Sequence, residues 1–114
     1  MPKTAIELRG ALVVDAFNAM GYAAAAIGNH EFDFGPVDAS GARQMVTGDA
    51  RGALKARAAQ AKYPFLAANL IDNRTGTPVN WPNVRPSVIV DAAGVKVGIV
   101  GVMTIDALRA TLPV

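Results

Sequence analysis

The stretch that decides the fold is AAAAIGNHEFDFGP, residues 23–36. Its first part, Ala23–Ile27, is an uninterrupted apolar run of the kind found in a parallel strand covered on both faces. A buried helix is the alternative for so many alanines, but Gly21 and Gly28 bound the run closely and favour a strand. Positions 29–33 then hold an amide, an imidazole and two carboxylates. Ligands of open α/β sheets bind beyond the carboxyl ends of strands, so a site is expected there.

Further helices and strands are predicted on both sides of this stretch. The apolar period predicts a helix over Leu8–Met20, which Gly21 would end. A second helix is predicted from Asp49 to about Lys62, and the next parallel strand over Pro64–Leu70. Strand, loop, helix and strand make a βαβ unit with a right-handed crossover, so the fold class is α/β.

The C-terminal part of the chain is predicted to contain a β-hairpin. Its strands are Ser87–Asp91 and Val95–Met103, separated by a short glycine-containing turn. Before it, Ile71–Pro86 carries three prolines and is predicted to be a loop, which Trp81 packs down. Ile105–Ala110 is predicted to form one helical turn.

Composition limits the classes of function. The chain has 114 residues, 52% hydrophobic and 18% charged, which is enough to bury the core of one domain. A net charge of +2 is too small to indicate a nucleic-acid partner. There is no cysteine, and the single histidine excludes a self-contained multi-histidine metal site. No apolar run approaches the roughly 20 residues of a membrane span, and the N-terminal residues do not have the pattern of a signal peptide.

The polar cluster after the first predicted strand has residue types suited to phosphate chemistry. The side-chain oxygen of Asn29 is a hard ligand for a divalent cation. His30 can protonate a leaving group or stabilise an oxyanion, and a carboxylate such as Asp33 could orient its imidazole. From the residue types alone, a polar turn without function remains an alternative.

The order of residues in this cluster resembles a known motif. Residues 28–33, GNHEFD, resemble the G-N-H-E-x-D block of calcineurin-like metallophosphoesterases. Val13–Tyr22, leading into Ala26–Pro36, is similar more narrowly to the bacterial 5′-nucleotidase family. That family includes UDP-sugar hydrolases and 2′,3′-cyclic-nucleotide phosphodiesterases. Phe65–Leu70 and Val95–Val102 match the same family in order and approximate spacing.

The resemblance implies a role for each residue of the motif. It implies a four-layer α/β/β/α fold and an active site with two divalent metal ions, such as Zn²⁺ or Mn²⁺, bridged by a carboxylate. Asn29 would bind one metal, His30 would contact the scissile phosphate, and Asp33 would pair with His30. Glu31 is assigned to structure rather than to metal. The expected substrate is a nucleotide or another phosphate ester.

Other parts of the family pattern are not found in this sequence. An Asp-x-His motif and a Gly-Asp block are expected before Leu8, and a Gly-His-x-His motif after Val114. Residues 1–114 are therefore expected to be a partial metallophosphoesterase domain, inactive alone and partnered by the remainder of its own chain. Cyclic phosphodiesters, UDP-sugars or a sulfur ester are alternative substrates, and a non-catalytic α/β binding domain is the alternative class. By resemblance, the location is periplasmic or on the cell surface.

Two further groups of residues have open interpretations. Arg51, Lys55 and Lys62 would share one face of the second helix, which indicates either a solvated face or a surface that attracts phosphate. Tyr63 and Trp81 could stack on a base or could anchor loops.

Overall fold

In a computed structural model, residues 10–32 and 51–106 of the chain are described. These ranges contain both helices and strands, with a parallel sheet and a C-terminal antiparallel hairpin, and the predicted α/β class is confirmed. The elements are α1 (Ala11–Ala19), β1 (Ala25–Ala26), a 3-10 turn (Asn29–Phe32), α2 (Gly52–Gln60), β2 (Phe65–Leu66), β3 (Ile71–Asp72), β4 (Thr77–Pro78), β5 (Val84–Arg85), β6 (Ser87–Ala92) and β7 (Val95–Val100).

The centre of the fold is a parallel sheet in which β2 lies between β1 and β5. Ala25 pairs with Phe65, which pairs in turn with Val84. Beyond β1, the Ile27 N–H donates to the Leu66 carbonyl at 2.9 Å and continues the ladder. Because α2 lies between β1 and β2 in the chain, the predicted βαβ unit is confirmed.

The predicted strand at 23–27 is shorter than expected and is not covered on both faces. Ile27 is 2% exposed, whereas Ala26 is exposed. In the described part of the chain β1 pairs with β2 alone and lies at an edge of its sheet. Alanine is apolar enough for a buried strand and small enough for an exposed one, so its hydrophobicity did not distinguish these cases.

The prediction of a loop over Ile71–Pro86 was wrong. This segment contains the small antiparallel pair β3 and β4, and β5, the third parallel strand of the central sheet. Strand β5 is two residues long, and Pro86 follows it directly. A strand of this length has too few residues to show a period, and the surrounding prolines and asparagines give a loop composition.

The other predicted elements are confirmed, most of them with shorter bounds, although the first hairpin strand extends one residue further, to Ala92. The first helix spans Ala11–Ala19 and the second Gly52–Gln60, while the proposed cap Asp49 lies outside the described residues. The C-terminal hairpin is present, with β7 ending at Val100 rather than Met103. Most of the predicted turn at 105–110 lies outside the described residues.

Helix α1 ends as its glycine predicts. Gly21 has φ +72°, and its N–H donates to the Asn18 carbonyl. The Tyr22 N–H donates five residues back to the Phe17 carbonyl, which completes a Schellman motif. The Phe17 and Tyr22 rings stack with centroids 4.0 Å apart, the apolar contact that accompanies this motif. The turn therefore points the chain from α1 into β1.

An aromatic and aliphatic core lies between the two helices and the sheet. Tyr63 is 2% exposed and stacks on Phe65 with ring centroids 5.8 Å apart. Burial raises the pKa of Tyr63, and Tyr22 raises it further. Tyr63 is thus a core residue, and its alternative assignment to base stacking is wrong. The core cluster consists of Val14, Ile27, Leu54, Ala58, Ala61, Tyr63, Phe65 and Ala67.

Asn83 joins the end of α2 to the start of β5. Its side-chain amide donates to the carbonyls of Ala58, Ala61 and Tyr63 at 2.8, 3.1 and 2.8 Å. Its backbone has φ +59°, a left-handed conformation that asparagine tolerates better than most residues. The Asn83 carbonyl also accepts the Phe65 N–H. One side chain therefore binds three carbonyls of the stretch from Ala58 to Tyr63.

Replacing Asn83 with alanine is expected to lower the free energy of unfolding by about 2–3 kcal/mol, because three carbonyls in the part-buried core lose a donor. Urea denaturation followed by circular dichroism measures this. Asn80→Ala, at an exposed position, is the matched control and is expected to change stability by less than about 0.5 kcal/mol. Equal unfolding midpoints for the two variants would contradict this role of Asn83.

One face of the β6–β7 hairpin is apolar and incompletely covered. Its register places five apolar side chains on that face: Val88, Val90, Val95, Val97 and Ile99. Val95 and Val97 are 62% and 39% exposed, and the other three are half-buried. Neither of the helices in the described residues is long and apolar enough to cross a membrane.

Candidate active site at the carboxyl edge of the sheet

The motif residues lie on a turn held at the carboxyl end of β1. The chain leaves the buried Ile27 through Gly28 and forms the 3-10 turn Asn29–Phe32. The Gly28 N–H donates to the Glu31 carboxylate at 2.7 Å, a capping contact between the residue before a helical turn and its third residue. A Cβ on residue 28 would lie 3.0 Å from that carboxylate oxygen, so glycine permits the close contact. Glu31 therefore stabilises the turn.

The turn presents two of the three predicted site residues. His30 is exposed, and Asn29, directly before it, is half-buried. The imidazole is thus on the solvent side of the carboxyl edge of the sheet, where a dissolved substrate can reach it. Phe32 closes the turn and packs against the core cluster. Asp33 lies outside the described residues, so its pairing with His30 stays a prediction.

A second asparagine lies at the same edge of the sheet, after β2. The Asn69 amide donates to the Met103 carbonyl at 2.7 Å, and its side-chain oxygen accepts the Met103 N–H at 2.9 Å. This reciprocal pair fixes the segment after β7 to the segment after β2. Asn69 is the polar residue of Phe65–Leu70, which matches the family in sequence, but its side chain is hydrogen-bonded to the Met103 backbone.

An open groove of about 880 Å³ adjoins the motif turn. Its lining includes Phe32 from that turn and Asn69, together with residues of α2 and of the chain after β2. Its charged residues are Arg51, Lys55, Asp72 and Arg74. The Lys55 ammonium lies 5.0 Å from the centre of the Trp81 ring. We call this the basic groove.

Asp72 is held in its ionised form inside the basic groove. The Arg74 guanidinium donates to both carboxylate oxygens of Asp72, at 3.2 and 2.9 Å. These hydrogen bonds, with that of the Arg74 N–H, lower the pKa of Asp72 to about 2, and the nearby charge of Arg51 acts in the same direction. Arg74 could not be found from the sequence, because its segment has the composition of a loop.

The described residues do not by themselves fit a two-metal centre. Within residues 10–32 and 51–106, no three His, Asp or Glu side chains come together in a group that could hold a metal ion. Asn29 and His30 offer one amide oxygen and one imidazole, and the Glu31 carboxylate is hydrogen-bonded to backbone. Affinity for a divalent ion depends on the number of ligands and their fixed geometry.

Together these features define a class of protein. A parallel sheet, its βαβ crossover and a polar glycine-flanked turn after the first strand make an α/β protein whose candidate site lies at the carboxyl edge.

The comparisons with known proteins narrow that class. The chain is 33% identical over 93 residues to a 5′-nucleotidase from Diplobatis ommata, a match that covers 82% of this chain. It is 37% identical over 79 residues to a 2′,3′-cyclic-nucleotide 2′-phosphodiesterase/3′-nucleotidase from Yersinia enterocolitica, which covers 69% of it. No family model matches the chain.

A solved structure agrees with the sequence matches. The fold is similar to that of the 5′-nucleotidase precursor from Thermus thermophilus, with a TM-score of 0.59, 25% identity and 96% of this chain covered. The resemblance stated from the residues is confirmed: this chain belongs to the 5′-nucleotidase and 2′,3′-cyclic-nucleotide phosphodiesterase family. It spans 14% and 9% of the two curated relatives and 17% of the solved chain.

Proposed function

We propose that this chain supplies part of the active site of a metal-dependent enzyme that hydrolyses nucleotide phosphate esters. The observation that carries the proposal is the GNHEF turn at the carboxyl edge of the sheet, in a chain 33% identical to a 5′-nucleotidase. The turn follows a buried strand end, is fixed by the Glu31 contact, and exposes an imidazole. A non-catalytic binding domain would not need this combination.

In this proposal His30 acts on the phosphate. An exposed imidazole on a capped turn can donate a hydrogen bond to a phosphoryl oxygen as negative charge builds there. Asp33, the next charged residue of the motif in the sequence, would hold the ring in one tautomer. Asn29 would direct its side-chain oxygen to a metal ion. The short 3-10 turn places Asn29 and His30 side by side on one turn of backbone.

We further propose that two divalent metal ions complete the site and that most of their ligands come from other parts of a longer protein. The described residues support the assignment of most metal ligands to other parts of the protein, because the Glu31 carboxylate already accepts the Gly28 N–H. When bound, such ions would polarise the phosphate and activate a water molecule. The substrate and the rest of the same polypeptide are then the partners of residues 1–114.

The apolar face of the β6–β7 hairpin supports the same division. Five apolar side chains stand together on a two-stranded ribbon, which is rarely stable alone in water. In a larger domain that face would be covered by further structure. We therefore propose that the domain to which residues 1–114 belong contains further structure that covers this face.

The proposal also includes a place of action. The similar solved protein is described as a precursor, which supports processing during export. We therefore propose a periplasmic or cell-surface location for the longer protein.

The test is to compare the 114-residue chain with the longer protein. The longer protein is expected to hydrolyse AMP, to lose activity in EDTA and to regain it with Mn²⁺. The 114-residue chain is expected to show no multiple turnovers under the same conditions. Assaying 2′,3′-cyclic AMP alongside decides whether the activity is closer to that of the Yersinia relative.

Two results would contradict the proposal. Activity of the longer protein that survives EDTA would exclude the proposed metal dependence. Multiple turnovers by the 114-residue chain, lost in His30→Ala, would show that this chain builds a complete site by itself.

A further inference from the structure

The basic groove has the size of a small-molecule site but no assigned role in the proposed hydrolysis. Its volume of about 880 Å³ lies within the range of about 300–1,000 Å³ typical of ligand pockets. Its lining mixes apolar residues with a small number of charged ones. Among the described residues that line the groove, no charged one belongs to the motif turn, although Phe32 places the groove beside that turn.

The described residues that line the basic groove carry more positive than negative charge. Among these residues, three are cationic and one is anionic. Asp72 is paired bidentately with Arg74, which reduces its repulsion of an incoming anion.

The positive groups of the groove are supported by the fold. Lys55 is on α2 and lies over the Trp81 ring, an arrangement that restricts the ammonium. Arg51 is the N-cap residue of the same helix, whose first turn contains no acidic residue. The positive end of the helix dipole therefore lies close to the Arg51 charge. The Asn69–Met103 pair fixes another part of the lining.

We propose that the basic groove binds a phosphate-bearing anion through Arg51 and Lys55, neither of which belongs to the turn that presents His30. Arg51 supplies a planar guanidinium that matches two phosphate oxygens, and Lys55 supplies a point charge. Either free phosphate or the phosphate of a nucleotide satisfies this chemistry. The inference does not depend on the proposed hydrolysis, because it concerns binding without metal.

Trp81 is the only tryptophan in the chain, so its emission reports directly on the groove. The experiment is to titrate the 114-residue chain in EDTA with inorganic phosphate, AMP and adenosine while following Trp81 fluorescence. A saturable change with phosphate and with AMP, but not with neutral adenosine, is expected. Binding tighter for AMP than for phosphate would identify the nucleotide as the preferred source of the anion.

The variants separate specific binding from general attraction. Arg51→Gln is expected to weaken binding at least about fivefold without removing the Lys55–Trp81 contact. Lys62→Gln removes the same charge outside the groove lining and is expected to leave affinity within about twofold. Lys55→Gln removes the contact with Trp81 and so alters the fluorescence itself. Its affinity is therefore measured by calorimetric titration, and it is expected to fall as much as that of Arg51→Gln.

Three outcomes would overturn the inference. The first is the absence of a saturable signal with phosphate or AMP at millimolar concentrations. The second is equal weakening by Arg51→Gln and Lys62→Gln, which would indicate attraction to the overall charge. The third is binding of adenosine as tight as that of AMP, which would mean that the groove recognises the base.

Discussion

Replacing Gly101 with alanine is expected to lower the free energy of unfolding by at least about 3 kcal/mol. Gly101 is buried where the chain leaves β7 and passes β2. A Cβ built there would be 2.5 Å from the Leu66 Cβ and 2.6 Å from the Leu66 carbonyl carbon, with the carbonyl oxygen also in collision. Real Cβ atoms do not approach backbone so closely, so one of the two segments must move.

That movement would break hydrogen bonds as well as packing. The Gly101 carbonyl accepts the Ala68 N–H at 2.7 Å, and its own N–H donates to the Pro86 carbonyl. These bonds connect the hairpin to β2 and to the residue after β5. A shift that relieves the collision therefore separates the hairpin from the parallel sheet. The melting temperature is expected to fall by about 10 °C or more.

Gly98→Ala is the matched control for Gly101→Ala. Gly98 lies in β7, three residues earlier, and a Cβ there meets no atom within 4 Å. Glycine inside a strand is less stable than alanine by about 0.5–1 kcal/mol, so Gly98→Ala is expected to raise stability slightly. Thermal melting of both variants measures the difference. Similar melting temperatures would show that the approach of residue 101 to Leu66 is not a constraint.

In the proposed longer protein, His30→Ala is expected to lower turnover by about 10²–10³, because the role proposed for His30 is to donate to the phosphate in the transition state. Asp33→Ala is expected to act in the same direction. Neither variant is expected to change the metal requirement greatly. Asn29→Ala is expected instead to raise the concentration of Mn²⁺ that gives half activity. Steady-state assays across a range of metal concentrations separate the two effects.

Glu31→Gln is the control for these site variants. A glutamine keeps a side-chain oxygen that can accept the Gly28 N–H, so the turn is expected to persist with little change in turnover. If His30→Ala abolished metal binding while Asn29→Ala had no effect, the assigned roles would be reversed. A large loss of turnover in Glu31→Gln would show that its carboxylate does more than hold the turn.

Much of this fold could be predicted because its signals are local. The end of α1 needed only Gly21 and its neighbours, since a left-handed residue at that position completes the capping bonds. The antiparallel hairpin was visible as two β-rich runs around Ala93 and Gly94, both of which have positive φ. The assignment of Glu31 to structure agrees with its bond to the Gly28 N–H.

Other features depend on residues far apart in the chain. Strand β5 exists because Val84 pairs with Phe65, and no property of residues 71–86 alone indicates it. The role of Asn83 depends on three carbonyls about 20 to 25 positions earlier. Lys62 was placed on the same helical face as Arg51 and Lys55, but α2 ends at Gln60, so only the latter two reach the basic groove.

The sequence by itself determined the α/β class, the motif turn and the family relationship, because these rest on short-range periodicity and on the order of residues in one block. Only the tertiary structure decided that β5 joins the sheet, that Gly101 must lack a side chain, and that Arg74 and Trp81 meet α2 in one groove. Those features arise where segments distant in the chain come within hydrogen-bonding or van der Waals distance. No local pattern encodes that proximity, since it depends on how the whole chain packs.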